Sequence, residues 1–433
     1  MVVCVTVMMV AFVAVFCFLP RSTYSDLEKR DLLRFPAFSW QSLRDGSFTQ
    51  QVSNWFSDSE PYRDVFMGCS MRIKSWIAIK LARDEERVTF HVPEDAEDTS
   101  ASPKELPRTV DQRVIKEYHR EVNANAKMEN AGVIVVGSAP NARALMAFKN
   151  KNKKEKEFAQ VVNDYQMMIG QEVNVYCMII PTAAEYYCPV SARSCTEPEF
   201  PVLTELYALI DSAVRVVVLY MVMGEHVDKD IYFRTDHHWT PLGAYYAARQ
   251  FAKAAGVAVP DLADFEEHTI EGYVGSMYGY SKDIAVKKSP ETFVYYTPRK
   301  ANYTTTYMKY VLDEDFQIVG KGNPYQGEFF VKVSSVSSAY CTFMGSDSRI
   351  TQVKTDVENH RRLLILKDSF GNAIPGYLFG SFEEIHVIDF RYFTHGIKDY
   401  VNEHGITDIL MANNISQVCS GAIGSAYKRF LSN

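Results

Sequence analysis

Two short stretches hold the side chains best suited to chemistry. The first is Thr235-Asp236-His237-His238-Trp239-Thr240-Pro241. A carboxylate beside an imidazole fixes the ring tautomer and stabilises the imidazolium, which is the pairing a serine nucleophile needs. In an extended loop alternate side chains share a face, so Asp236 and His238 are expected on one side and His237 on the other. The second stretch is Leu363-Leu364-Ile365-Leu366-Lys367-Asp368-Ser369-Phe370-Gly371-Asn372. An apolar strand running into a turn and then a helix would present the Ser369 hydroxyl at the carboxyl edge of a sheet. The amides of Ser369 and a neighbour such as Gly371 would then face a developing oxyanion. Each stretch alone also admits a plain role, with Asp236 capping a helix, His238 as a satisfied loop histidine and Ser369 as an N-cap. Together they supply a nucleophile, a base and an orienting acid: Ser369, His238 and Asp236.

The wording TDHHW followed much later by KDSFGN resembles the DHHW family. It is also similar to the periplasmic alginate O-acetyltransferases, which carry an SGNH-hydrolase-like domain. The resemblance covers roughly residues 26–415, including FPAFSWQSLRDGSF and SEPYRD. It implies a triad of Asp236, His238 and Ser369 and leaves His237 out of it; His237 and Trp239 are expected to play supporting parts. The motif order is permuted relative to ordinary SGNH hydrolases, in which the serine comes first. By the same resemblance, further oxyanion donors would lie at the ends of the next strands. That makes Arg391 and Asn414 candidates for the oxyanion or for substrate, Arg391 alternatively being a surface ion-pair partner. With its last residue at Asn433, the sequence is expected to leave no room for the carbohydrate-binding module that some alginate acetyltransferases carry.

These residues need a frame. From Gly132 onward, short apolar runs alternate with helical stretches: Val133–Val136, a charged helix near 149–168, Val173–Ile180, Val214–Leu219, Leu363–Leu366, Ile385–Ile388 and Asp408–Met411. Continuous apolar strands separated by helices predict an α/β fold with a mostly parallel sheet covered on both faces. Ligands in such folds sit at the carboxyl ends of the strands. Thr240 suits an N-cap, Pro241 the first helical position and Gly256 the residue past the end, so a helix is expected over 241–255. Residues 264–360 are Tyr-rich and strand-like, as in ETFVYYTP and NYTTTYMKY, and are expected to form a β-rich insertion walling the site. The expected organisation is an N-terminal signal anchor at 1–21, a membrane-proximal helical arm at 22–130 with a disordered loop near 93–108, and an SGNH-like domain at 131–433.

Val2 to Pro20 is almost wholly apolar and long enough to span a bilayer. An uncleaved anchor is the first reading and a cleaved signal peptide the second, and either places the remainder on the extracytoplasmic face. The net charge of -7 and pI near 5.9 argue against a nucleic-acid partner. No zinc-type cysteine spacing occurs, and Cys188 and Cys195 are the one pair placed to close a loop, free buried cysteines being the equal alternative. A metal-dependent phosphoesterase would need acidic or histidine ligands at the strand ends, and Gly137-Ser138 and Pro181-Thr182 supply none. Neither a metal nor a cofactor is expected.

The leading expectation is an O-acetyltransferase acting on a cell-surface polysaccharide through an acetyl-serine. A membrane-bound acyltransferase would be the partner that supplies acetyl groups. The alternatives are a carbohydrate esterase of the same fold, with water as acceptor, and a non-catalytic glycan-binding or assembly protein.

Overall fold

The computed structural model describes residues 33–44, 46–59 and 126–432, with breaks at 170–171, 313–317, 346 and 348. It also describes isolated positions at 19, 21, 24–25, 30–31, 61, 117, 122 and 124–125. The segment 2–20, apart from Leu19, and the loop near 93–108 lie outside the described residues. Among the described residues no helix is long and apolar enough to cross a membrane. The chain divides into two compact units, Met1–Arg87 with Tyr278–Ile284 and Val88–Met277 with Ala285–Asn433. In the first, α1 (Trp40–Arg44) and α2 (Ser47–Asp58) follow one another across the left-handed Gly46.

The second unit begins with strands β1 (Ala126–Met128), β2 (Val133–Val136) and β3 (Arg143–Met146). Helix α3 (Glu155–Ile169), β4 (Asn174–Ile180), α4 (Phe200–Leu209), β5 (Arg215–Val217) and α5 (Pro241–Ala255) follow. A hairpin of β6 (Phe265–Tyr273) and β7 (Glu291–Pro298) leads to β8 (Tyr303–Leu312), β9 (Ile318–Lys321), β10 (Tyr325–Gly327) and β11 (Arg349–Thr355). The chain closes with β12 (Arg362–Lys367), β13 (Glu384–Asp389), α6 (Ile397–His404), β14 (Asp408–Asn414) and α7 (Ala422–Ser432).

Strands β13, β12, β14, β4 and β5 lie side by side in that order, all parallel. Their alternate side chains feed two separate cores. Tyr176, Met178, Leu363, Ile365, Leu410 and Ala412 pack with Ala244, Ala248 and Phe251 of α5. Val175, Cys177, Leu364, Leu366, Ile409 and Met411 pack with Phe158, Leu206 and Tyr427 of the opposite helical layer. Burial on both faces is why these strands read as unbroken apolar runs. It fixes the register as well, since a slip of one residue would exchange the two cores. This is an α/β architecture whose mostly parallel sheet carries helices on both faces.

Two features differ from the linear reading. Val133–Val136 forms a strand, but in a separate antiparallel sheet with β1 and β3. Gly137, at φ 71°, turns the chain straight back, leaving no crossover long enough for a parallel partner. The 264–360 segment is β-rich, yet only β6 and β7 stand apart as their own hairpin. β11 pairs antiparallel with β13, and β8 with β11, so these strands extend the main sheet. Cys177, Cys188, Cys195, Cys341 and Cys419 are free thiols, so Cys188 and Cys195 do not close a loop by a disulfide.

Candidate functional site

The loop before α5 is held as a closed turn. Thr240 N–H donates to Ile231 O at 2.9 Å, and Phe233 N–H to His238 O at 3.3 Å. Thr240 Oγ1 caps α5 by accepting from Gly243 N–H, and Gly256, at φ 68°, ends the helix. From outside, the Glu291 carboxylate accepts from the amides of Arg234 (2.9 Å) and Thr235 (2.7 Å) and from the Thr235 hydroxyl. Inside the turn, Asp236 Oδ1 accepts from both His238 N–H (3.0 Å) and His238 Nδ1–H (2.6 Å). Its Oδ2 accepts from Ser276 N–H at 2.8 Å. Burial would raise the Asp236 carboxyl. The His238 and His237 rings and the Ser276 amide outweigh it and hold the group well below the usual carboxylate range.

With Nδ1–H committed to Asp236, His238 Nε2 is left as an acceptor. Ser369 Oγ lies 2.8 Å from it. The three residues form one hydrogen-bonded chain, with Asp236 and His238 buried and Ser369 half-buried at the carboxyl edge of β12. Tyr340 stacks on the imidazole with centroids 4.0 Å apart and planes 9° from parallel, and Phe370 packs against it at 5.0 Å. Trp239, fully buried, donates Nε1–H to Phe370 O at 2.9 Å. It thereby ties the histidine loop to the serine turn.

Ser369 begins a 3₁₀ turn, Ser369–Ala373, whose cap is Asp368 and not Ser369 itself. Asp368 Oδ1 accepts from Phe370 N–H (3.0 Å) and Oδ2 from Asn414 N–H (2.6 Å), which ties the ends of β12 and β14 together. Burial pushes the Asp368 carboxyl up to about 6. A second clasp grips both sides of the serine. Asp347 accepts from Lys367 Nζ (3.1 Å), Asn372 Nδ2 (2.6 Å) and Arg391 Nη2 (2.9 Å), and Lys367 also pairs with Asp389 at 2.8 Å. Lys367 is 2% exposed, an ammonium kept charged by two carboxylates although burial opposes it.

The remaining candidates sit around this chain with their polar groups engaged. The Gly371 N–H donates to Asp368 O, and a Cβ there would come 2.5 Å from Lys367 Cβ, so glycine lets the turn close on the lysine stem. Asn414 donates Nδ2–H to Ile180 O and accepts from Ser416 N–H. Arg391 pairs with Asp389 and Asp347. The Ser369 N–H has no acceptor among the described residues. His237 is not on the opposite face. The Asp236 side chain bends the backbone into a turn, leaving the His237 and His238 rings 3.8 Å apart, with His237 Nδ1 2.7 Å from Ser276 Oγ. Asp236, His237 and His238 are the one group of possible metal ligands among the described residues, within 4.8 Å of one another. A metal there would have to displace the contacts of Asp236 and His238 just described.

Tyr340, Gly275, Ser276, Asp347 and Glu291 were not singled out in the sequence. All belong to the 264–360 segment, where no motif marks them. Gly275 is the most telling, since a Cβ there would lie 2.4 Å from Asp236 Cβ and Oδ2. Gly275→Ala is therefore expected to push the carboxylate off His238. Displacements of about 1 Å at a catalytic group can cost about 10²-fold in rate, and kcat on an acetyl ester should fall by that order. A matching melting temperature in the variant would separate this effect from unfolding.

Burial and the adjacent His238 hold the His237 ring down at about 4. A base whose folded pKa lies below its unfolded value of about 6.5 binds fewer protons when folded. Stability should therefore be intact above pH 6.5 and fall as pH drops from 6.5 towards 4, by at most about 3 kcal/mol for this group. Asp368 acts oppositely, costing stability as pH rises from about 4 to 6. His237→Gln should lose less stability between pH 6.5 and 4 than the wild type in denaturant titrations. It should also retain far more activity than His238→Ala.

Fold and site together define an α/β protein with a serine–histidine–aspartate chain at the carboxyl edge of a parallel sheet. A family model described as DHHW protein matches residues 28–95 and 100–388, and the chain belongs to that family. A DHHW family protein of known structure from Eubacterium siraeum is 34% identical, with a TM-score of 0.63, the match covering 70% of this chain and 97% of that one. Bacillus cereus PatB1, whose structure carries a sulfonyl adduct, is 20% identical with a TM-score of 0.53, covering 71% of this chain and 99% of its own. That likeness is one of fold. No protein of curated function matches the chain.

Proposed function

We propose that the protein is a serine-dependent O-acetyltransferase that acetylates a cell-surface polysaccharide. The observation that carries the reading is the unbroken contact from Asp236 through His238 to Ser369. In the proposed cycle Ser369 Oγ attacks the donor's acetyl carbonyl while His238 Nε2 takes the hydroxyl proton. The Ser369 N–H, which has no acceptor among the described residues, faces the oxyanion. The imidazolium, balanced by Asp236, returns its proton to the leaving group and acetyl-Ser369 forms. A sugar hydroxyl then loses its proton to Nε2 and attacks the ester, and the second tetrahedral species expels Ser369 Oγ, which regains the proton. The sulfonyl adduct carried by Bacillus cereus PatB1 supports a nucleophile in proteins of this fold. We further propose that the apolar segment 2–20 anchors the chain on the extracytoplasmic face, where a membrane-bound acyltransferase supplies acetyl groups.

The test uses acetylated nitrophenol. Wild type should release nitrophenolate and transiently carry an acetyl mass on the Ser369 peptide. Polysaccharides added as acceptors should draw the acetyl group faster than water does. Indifference to every glycan would turn the reading towards an esterase. Absence of both turnover and adduct would replace it with a non-catalytic glycan-binding role.

A further inference from the structure

The N-terminal unit presents an apolar face that its own helices do not cover. Phe35, Phe38, Trp40 and Leu43 are 58, 54, 79 and 40% exposed. They are held in place and not merely dangling. Phe35 meets Trp55 edge-on at 4.9 Å, and Phe38 meets Trp40 and Phe48 at 5.3 Å each. Helix α2 thus offers one side to these rings while their outer faces stay bare. These edge-to-face aromatic contacts fix the face before any partner arrives, which removes much of the ordering cost of docking.

Charge narrows the choice of partner. The whole chain has 53 acidic against 46 basic side chains, a net charge of -7. Residues 33–58, to the end of α2, carry Arg34 and Arg44 against Asp45 and Asp58, and both arginines stand within the stretch that holds the exposed rings. An aromatic face with Arg34 and Arg44 at its two ends, on an otherwise acidic protein, matches the interfacial layer of an anionic bilayer. There indole and phenyl rings settle among the headgroups and each arginine near the surface gains from the lipid charge. The same chain places its long apolar run at 2–20, a short span before this face.

We infer that Phe35, Phe38, Trp40 and Leu43, with Arg34 and Arg44, form a face that lies in the surface of an anionic lipid bilayer. The inference is independent of the acyl-transfer reading and needs no activity to test. Full-length protein is mixed with vesicles of phosphatidylcholine and phosphatidylglycerol, with lipids brominated near the headgroup as quenchers. Trp40 is one of four tryptophans, so its signal is the fluorescence lost in Trp40→Phe. That component should shift to the blue, be quenched by the brominated lipid and become resistant to aqueous acrylamide. In Arg34→Glu/Arg44→Glu the bromolipid quenching should be lost on these vesicles. If the Trp40 component stays open to acrylamide and unquenched by lipid, whether or not the chain binds, the inference is overturned. If it is shielded from both quenchers, a protein surface covers the face, and the inference is equally overturned.

Discussion

Ser369→Ala is expected to lower turnover of an acetyl ester by about 10⁴- to 10⁶-fold and to abolish the acetyl adduct, while leaving the fold in place. The kinetic loss follows from geometry. Alanine removes the oxygen 2.8 Å from His238 Nε2, and among the described residues no other hydroxyl bonds that nitrogen. The stability expectation follows from the cap. The turn after β12 is capped by the Asp368 carboxylate, so the Ser369 side chain holds no helix end. Its removal should cost under about 1 kcal/mol. Asp368→Ala should show the reverse balance, because it strips the acceptor from two buried amides, Phe370 N–H and Asn414 N–H. Melting curves and single-turnover mass measurements on both variants would show this. A Ser369→Ala protein that still turns over the ester with a wild-type rate would end the proposed mechanism.

Why some of this was legible from the chain and some was not has a physical basis. The middles of β4 (175–180), β12 (363–366) and β14 (409–412) are unbroken apolar runs because each faces two cores, and this leaves a signal that survives without tertiary knowledge. The limits of α5 were equally plain, since Thr240, Pro241 and Gly256 each satisfy a local requirement of a helix end. The partner of Val133–Val136 was not legible. Its own residues say strand, but pairing is decided by the turn at Gly137 and by β1 and β3. At the site, Asp236, His238 and Ser369 stand in two short motifs whose residue types declare a chemistry. Tyr340, Gly275 and Asp347 act through where they arrive in space. A tyrosine whose ring lies flat on an imidazole reads in sequence like any of the 26 tyrosines. The face assigned to His237 failed for a related reason. Alternation holds in extended backbone, and a side chain that bonds its own loop, as Asp236 does, bends the loop out of it.

Asp236→Asn is expected to preserve the loop's shape while lowering kcat by about 10⁴-fold. Asp236 accepts from three N–H groups, His238 N–H and Nδ1–H at Oδ1 and Ser276 N–H at Oδ2, with the Tyr273 hydroxyl as a further side-chain donor. An amide has one oxygen and one NH₂. If its oxygen keeps His238, the NH₂ is set against the Ser276 N–H, two donors face to face. If its oxygen turns to Ser276, the NH₂ points at His238 Nδ1, which must then give up its proton and accept. The proton moves to Nε2, the atom 2.8 Å from Ser369 Oγ, where a base is required. The second arrangement leaves only the His238 N–H without its acceptor, whereas the first sets both the Ser276 N–H and the NH₂ against donors, so the second should dominate, and the imidazole is then held in the tautomer that cannot deprotonate serine. The loss should fall on kcat and on the rate of acetyl-Ser369 formation, with little change in ester KM, because nothing that binds substrate has moved. Nitrogen-15 NMR of the labelled imidazoles would check the cause directly. His238 should exchange an Nδ1-protonated pattern for an Nε2-protonated one. A variant that lost the same activity with the tautomer unchanged would show that Asp236 works chiefly by its charge, stabilising the imidazolium and not aiming the ring.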